Sequence, residues 1–330
     1  MRYALILFIL LIWCGMANSQ PSTKNINLTG MERTWDSPKL RSNLLIKKIN
    51  ELKGHGFQGI RLPLAIGYHL ESNSGFLREL RALVRYTENQ KIPLTLCYFD
   101  PDLNENNKSK KLEDISRNWL KVLNQLDSKS QYLSIELVNE PNLNPDSWVN
   151  FSEVLVSQIR ERHAEIPILI GATNFNSLYE LSRMEPIQAA GPIVYIFHFY
   201  EPIIFTHQGA EWTGEQNATQ GIPYPFQQEK MPSLNPRAKG TAGEINLRDY
   251  PQTGNQIALE DKISQIAAWA MRNQVALWCT EYGVSKNADP ESRQNYLRDV
   301  EKTLNDYNIP GFLWEWEGNF GVKSLVRKSQ

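Results

Sequence analysis

The sequence predicts an α/β chain folded as a single-domain (β/α)8, or TIM, barrel with a long insert after strand six. Three observations carry this. Eight short apolar runs, rich in β-branched and aromatic residues, alternate with stretches whose apolar residues recur at helical spacing. The runs end near residues 29, 62, 98, 139, 171, 198, 280 and 315, and most gaps match one βαβ repeat of about 30 residues. No glycine-rich phosphate turn follows any of them, which favours a closed barrel over a doubly wound sheet.

Ile26–Gly30 is the first strand. Leu45, Ile46, Ile49 and Leu52 mark its helix, which Gly54 and Gly56 end. Phe57–Leu64 is the second strand, followed by a helix through Leu77, Leu80, Leu83 and Val84. Ile92–Phe99 is the third, and Ile115, Trp119, Val122 and Leu126 mark the next helix. The fourth strand runs from Leu133 to Asn139 and Glu140, where Pro141 forbids continuation. Trp148, Phe151, Leu155 and Ile159 form its helix, then Ile166–Ile170 and Ile193–Phe199 are strands five and six. A helix through Ile263, Ala267, Ala270 and Met271 precedes strand seven, Val275–Thr280. Leu297, Val300 and Leu304 lead to strand eight, Phe312–Trp316. Only a short basic tail follows, so the eighth helix is expected to be short or missing.

Residues 1–19 stand outside this pattern. Arg2 precedes an apolar run from Ala4 to Trp13, and Ala17-Asn18-Ser19 is a small-x-small cleavage pattern. They read as a signal peptide cleaved after Ser19, an uncleaved anchor being the alternative. The barrel domain is then 20–330, a secreted or periplasmic protein with no membrane attachment after cleavage. The chain has 330 residues, 41% hydrophobic and 22% charged, with a formal net charge of −1 and no basic block. Nucleic acid is a poor partner for such a surface. Cys97 and Cys279 fall inside apolar strands on opposite sides of the barrel and are expected as buried thiols.

In this fold, active sites gather where the strands end. The polar residues there are Arg61, Asn139, Glu140, His198, Tyr200, Glu281 and Trp314. Each is costly at the end of an apolar strand unless it is paired or functional. Glu140 and Glu281 close strands four and seven, on roughly opposite sides of the mouth. Two carboxylates across a cleft are what glycosidic hydrolysis needs. One protonates the leaving oxygen, and the other attacks the anomeric carbon or activates water. Nine Trp and thirteen Tyr supply flat faces that suit cores and sugars alike.

Asn139-Glu140-Pro141, His198-Phe199-Tyr200, Thr280-Glu281-Tyr282-Gly283 and Trp314, with Ile26–Gly30 and Gly59-Ile60-Arg61-Leu62-Pro63 before them, resemble glycoside hydrolase family 5, the cellulase-like members of the retaining barrel clan. The resemblance implies a β-linked polysaccharide or oligosaccharide substrate, β-1,4-glucan by default, cleaved by double displacement without metal or cofactor. It implies Glu140 as general acid/base and Glu281 as nucleophile. Arg61 would hold Glu281 ionised, and Asn139 would bind the sugar 2-hydroxyl. His198 and Tyr200 would line the cleft, with Tyr200 donating to the nucleophile, and Trp314 would form a sugar platform. Glu281 beside Arg61 should have a depressed pKa, and Glu140 a raised one.

One departure stands out. The family's third strand usually ends in an acidic residue and a histidine, whereas this one reads Cys97-Tyr98-Phe99-Asp100. Tyr98 or Asp100 is the nearest polar substitute. The insert from Glu201 to about Gln256 leaves from the catalytic face and is expected to wall the cleft, with His207 and Trp212 as sugar contacts. Trp35, preceded by Glu32, is a candidate for a glycone-side subsite. Trp119, Trp148 and Trp269 read as packing. A non-catalytic carbohydrate-binding protein on a degenerate barrel, a transglycosylase, and a hydrolase of mannan or β-1,3-glucan remain alternatives.

Overall fold

The structure, a computed structural model, describes residues 24–36, 38–127 and 130–325. The expected signal peptide and the last residues of the tail lie outside them. Eight parallel strands close into a barrel in chain order: β1 Asn25–Asn27, β2 Gly59–Leu64, β3 Leu94–Tyr98, β4 Leu133–Glu136, β5 Ile168–Ile170, β6 Ile193–Phe199, β7 Ala276–Tyr282 and β8 Gly311–Leu313. β1 pairs with β8 to close it. Among the described residues no helix follows β8.

Regular pairing in β4 stops earlier than expected, at Glu136. The chain still runs beside its neighbours, with Leu137 N–H on Leu169 O at 3.1 Å and Asn139 N–H on Tyr98 O at 2.8 Å. Two tryptophans fix these ends from outside. Trp119, on the helix Lys108–Leu126, donates its indole N–H to Leu137 O at 3.0 Å. Trp148, on the helix Pro145–Arg160, donates to Gly171 O at 2.7 Å. Both are buried, as is Trp269, so the three are packing residues as expected. Met271 is not: the buried face of its helix, Gln256–Asn273, runs through Ile263, Ile266, Trp269 and Ala270, and Met271 is exposed.

Period-2 alternation sends every second side chain into the barrel. The interior divides into two unlike halves. On β5 to β8 it is apolar, a cluster of Leu169, Val194, Ile196, Trp278 and Phe312. On β1 to β4 it is polar: Asn27, Arg61, Thr95, Cys97, Ser134 and Glu136 are all buried. Arg61 alone reaches Glu136 on β4 and Glu281 on β7.

β7 carries one residue more than either neighbour. Against β6 the register steps from Phe197↔Cys279 to His198↔Glu281, and against β8 from Cys279↔Gly311 to Tyr282↔Leu313. This is a β-bulge at Thr280. Trp278 points inward, so strict alternation would turn Glu281 out, and the bulge turns it back in. Gly283 follows, and its φ is not in the left-handed region. Its requirement is space, since a Cβ there would lie 2.1 Å from Trp314 O.

The insert holds a one-turn helix, Ile203–Thr206, four short 3-10 turns and one longer helix, Ala242–Thr253. Its later part is structural. Tyr224 takes Ser292 Oγ through its N–H at 3.0 Å and donates its hydroxyl to Asp299 at 3.1 Å, both on the helix Pro290–Asp306. Only its first part, around His207, approaches the strand ends.

Trp119→Phe leaves the Leu137 carbonyl buried and unpaired while keeping most of the apolar volume. It should destabilise the chain by about 1–3 kcal/mol, read as a lower urea midpoint with an unchanged slope.

Candidate active site

Arg61 is wholly buried and organises the site. Its Nε and Nη2 bind Glu136 as a fork, at 2.7 Å each. Nη1 reaches Glu281 Oε1 at 2.7 Å and Asn27 Oδ1 at 2.8 Å. Nη2 also reaches Asn139 Oδ1 at 2.7 Å and Cys97 Sγ at 3.2 Å. Glu281 Oε2 accepts from the Tyr200 hydroxyl at 2.8 Å. His198 Nδ1 lies 2.8 Å from Glu140 Oε1 and 3.5 Å from Glu281 Oε2. One carboxylate oxygen from each glutamate and one ring nitrogen of His198 thus lie within 4.8 Å of one another.

The structure therefore joins Arg61, Asn139, Glu140, His198, Tyr200 and Glu281 in one cluster, and leaves Trp314 half-buried just past β8. Asn139 gives its oxygen to Arg61, so its amide nitrogen is the end turned away from the arginine. Trp212 is 59% exposed and joins at one remove: its ring is 6.3 Å from Phe320, which lies 5.8 Å from Tyr200. His207 packs 5.0 Å from Tyr200 and also 5.0 Å from Phe320. Trp35 is 78% exposed, and among the described residues no hydrogen bond or ring contact joins it to the cluster.

Neither expected substitute on β3 faces the cleft. Tyr98 is buried toward the helices, where its hydroxyl accepts from Asn118 at 2.9 Å and its ring packs on Trp119. Asp100 holds Lys111 at 2.8 Å. The inward position is Cys97, a free thiol like Cys279, and burial pushes its pKa well up. Alternation from Thr95 identifies Cys97 in retrospect.

Glu136 and Asn27 were legible as residues but not as parts of the site. Glu136 had a signal: a glutamate inside an apolar strand needs a buried cation. Asn27 ties three strands, donating to Thr280 O at 2.9 Å and Leu313 O at 3.2 Å.

The expected order of the carboxylate pKa values is reversed. Burial lifts Glu281 above the ordinary value, against the pull of His198 and Arg61, and the neighbouring Glu140 adds to the rise. Arg61 pulls Glu281 down through its 2.7 Å contact, but burial is the larger effect. Burial is the largest single effect on Glu140 and pushes it up, but His198, through its hydrogen bond above all, together with Arg61 and His207 outweighs it and leaves Glu140 below the ordinary value.

Backbone strain collects at the same mouth. Glu140 has φ +46. Past β5, Asn174, Phe175 and Asn176 have φ +55, +63 and +52, a left-handed turn without a glycine. Such residues cost roughly 1–3 kcal/mol each and persist where the surroundings impose them.

Two outcomes follow. Tyr200→Phe removes a hydrogen bond that lowers the Glu281 pKa, so the acid limb of kcat/KM should move to higher pH; a limb that stays or moves down contradicts the assignment. Glu140→Gly should be more stable than Glu140→Ala by about 1 kcal/mol, because only glycine takes φ +46 freely. Paired thermal melts read this directly.

The description Cellulase (glycosyl hydrolase family 5) belongs to a family model that matches residues 19–320. The chain is 24% identical to Endoglucanase 3 of Fibrobacter succinogenes over 91% of its own length, and spans 50% of that protein. It is 30% identical to Endoglucanase C of Acetivibrio thermocellus over 64% of its length, spanning 60% of that relative. Cellodextrinase A of Ruminococcus flavefaciens is 23% identical, with 94% of this chain and 91% of the relative covered. Among solved structures, cellulose synthase subunit Z of Clostridioides difficile superposes with a TM-score of 0.72 at 21% identity, covering 93% of this chain and 95% of that one. An endoglucanase of Thermotoga maritima gives 0.74 at 19% identity, with 93% of each covered. These two share the fold. Since the family match covers residues 19–320, well over half of the chain, this protein belongs to glycosyl hydrolase family 5.

Proposed function

We propose that the protein is a secreted, retaining β-glycosidase that hydrolyses a β-1,4-glucan by double displacement. The observation that supports retention is the spacing of the pair, with oxygens of Glu140 and Glu281 within 4.8 Å. Retaining enzymes hold their carboxyl groups about 5–5.5 Å apart, whereas inverting enzymes need roughly 6.5–9.5 Å to admit a water. The endoglucanase and cellodextrinase names of the relatives support the substrate class. The pattern at residues 1–19 supports export.

In this reading Glu281, ionised against Arg61 and Tyr200, attacks the anomeric carbon. Glu140 gives its proton to the departing oxygen, then takes one from the water that releases the sugar. The amide nitrogen of Asn139 donates to the 2-hydroxyl, and Trp314 supports the ring. The mechanism requires a proton on Glu140 when the anomeric carbon meets Glu281.

The experiment is hydrolysis of defined β-glycans, with the anomer of the first product followed by NMR. The β-anomer is expected first, on β-1,4-glucan. Glu281→Ala should lower kcat by about 10⁴-fold or more, and azide with an activated aryl β-glycoside should restore turnover as the α-azide. Glu140→Ala should yield the β-azide instead. An α-anomer formed first, or wild-type rates in both variants, would end the proposal, and glycan binding without turnover would favour the non-catalytic alternative.

A further inference from the structure

The left-handed turn past β5 is the most costly backbone in the described chain that the proposed mechanism does not use. Its last residue, Asn176, is wholly buried. The turn brings the chain back alongside β6, where Ser177 bridges to His198 in parallel. Asn176 Nδ2 then lies 3.2 Å from His198 Nε2. Its Oδ1 has no partner. It packs against Gly171, where a Cβ would fall 2.0 Å from it. A glycine on one side and three left-handed residues on the other thus hold a buried amide that makes a single side-chain hydrogen bond. An arrangement that leaves one polar atom orphaned, and strains the backbone, is kept for the one contact it makes.

We infer that Asn176 is a positioning residue for acid/base catalysis, which fixes the imidazole of His198 with its single proton on Nδ1, facing Glu140. The chemistry is simple. An amide nitrogen can only donate, so Nε2 must be the bare, accepting nitrogen. The ring proton is then on Nδ1, the atom 2.8 Å from Glu140 Oε1. That bond orients the carboxyl group and meets its charge after the proton has left. Glu140 itself stands at φ +46, and His198 is the side chain bonded to its carboxyl group. Asn176 touches neither substrate nor Glu140, and acts through His198. Phe175, left-handed and 72% exposed, is the outward consequence of turning Asn176 inward.

The inference rests on Glu140 being the acid/base, and two measurements separate the two ideas. The first uses the full wild-type chain with ¹⁵N-labelled histidine. The sequence has five histidines, and the signal lost in His198→Gln identifies the ring. A protonated Nδ1 with a bare Nε2 is expected; a proton on Nε2 overturns the inference. The second compares kcat/KM for an unsubstituted cello-oligosaccharide, whose leaving group needs a proton, with a dinitrophenyl β-cellobioside, whose leaving group does not. Asn176→Leu and Asn176→Asp should each lower the first about tenfold, part of the 10²–10⁴ that a general acid contributes, and lower the second less than about threefold. Equal losses on both substrates mean a merely structural residue. If a variant does not fold, the ring-nitrogen result decides alone. If Glu140→Ala keeps wild-type kcat/KM on the oligosaccharide, the acid/base reading fails whatever Asn176 does.

Discussion

The guanidinium of Arg61 is the interaction on which the rest of the site depends. It sits in the barrel with no exposed surface, and its N–H groups meet two carboxylates, two amide oxygens and a thiol. Taking such an ion out of water costs several kcal/mol, recovered only when geometry and partners are nearly complete. Here they are. The planar fork matches Glu136, and the remaining contacts go to Asn27 on β1, Cys97 on β3, Asn139 just past β4 and Glu281 on β7. A lysine ammonium could not serve these directions at once. Two carboxylates share one cation, so the cluster leans acidic, and Glu281 feels burial more than it feels Arg61. The reversed pKa order follows from the deep burial of Glu281 and from the hydrogen bond that His198 makes to Glu140.

Much of this was legible in the sequence. The eight alternations fixed the barrel, and polar residues at strand ends identified Arg61, Asn139, Glu140, His198, Tyr200 and Glu281, because apolar strands make their polar ends conspicuous. What stayed hidden was polar residues inside strands and anything set by local backbone. Glu136 sits inside the apolar run, three residues before Asn139, and does not stand out as a strand end does. Cys97 looked like an apolar residue in a run. Tyr98 and Asp100 were nearer the strand end, but alternation and a neighbouring lysine take them elsewhere. Asn176 follows a strand in a segment whose left-handed turn has no glycine to announce it. The insert divides for a similar reason. Its tyrosines pack on a helix close to it in space but remote in sequence, while His207 lies within a few residues of β6 and stays near Tyr200.

The two strained segments share one logic. Glu140, at positive φ, bonds one ring nitrogen of His198, and Asn176, also at positive φ, bonds the other. His198, buried and bonded on both ring nitrogens, is the piece between them. Rigid, strained backbone on both flanks lets one side chain be placed to within the tolerance that proton transfer demands.

The bulge at Thr280 has a different consequence. Below it, β7 follows one parity and supplies Trp278 to the apolar floor; above it, the parity is opposite and supplies Glu281 to the mouth. The strand is two short segments out of phase, joined at a single residue. The lower segment answers to packing and the upper to chemistry. Each can drift without dragging the other out of alignment, so the barrel can repack its floor while Glu281 keeps its aim.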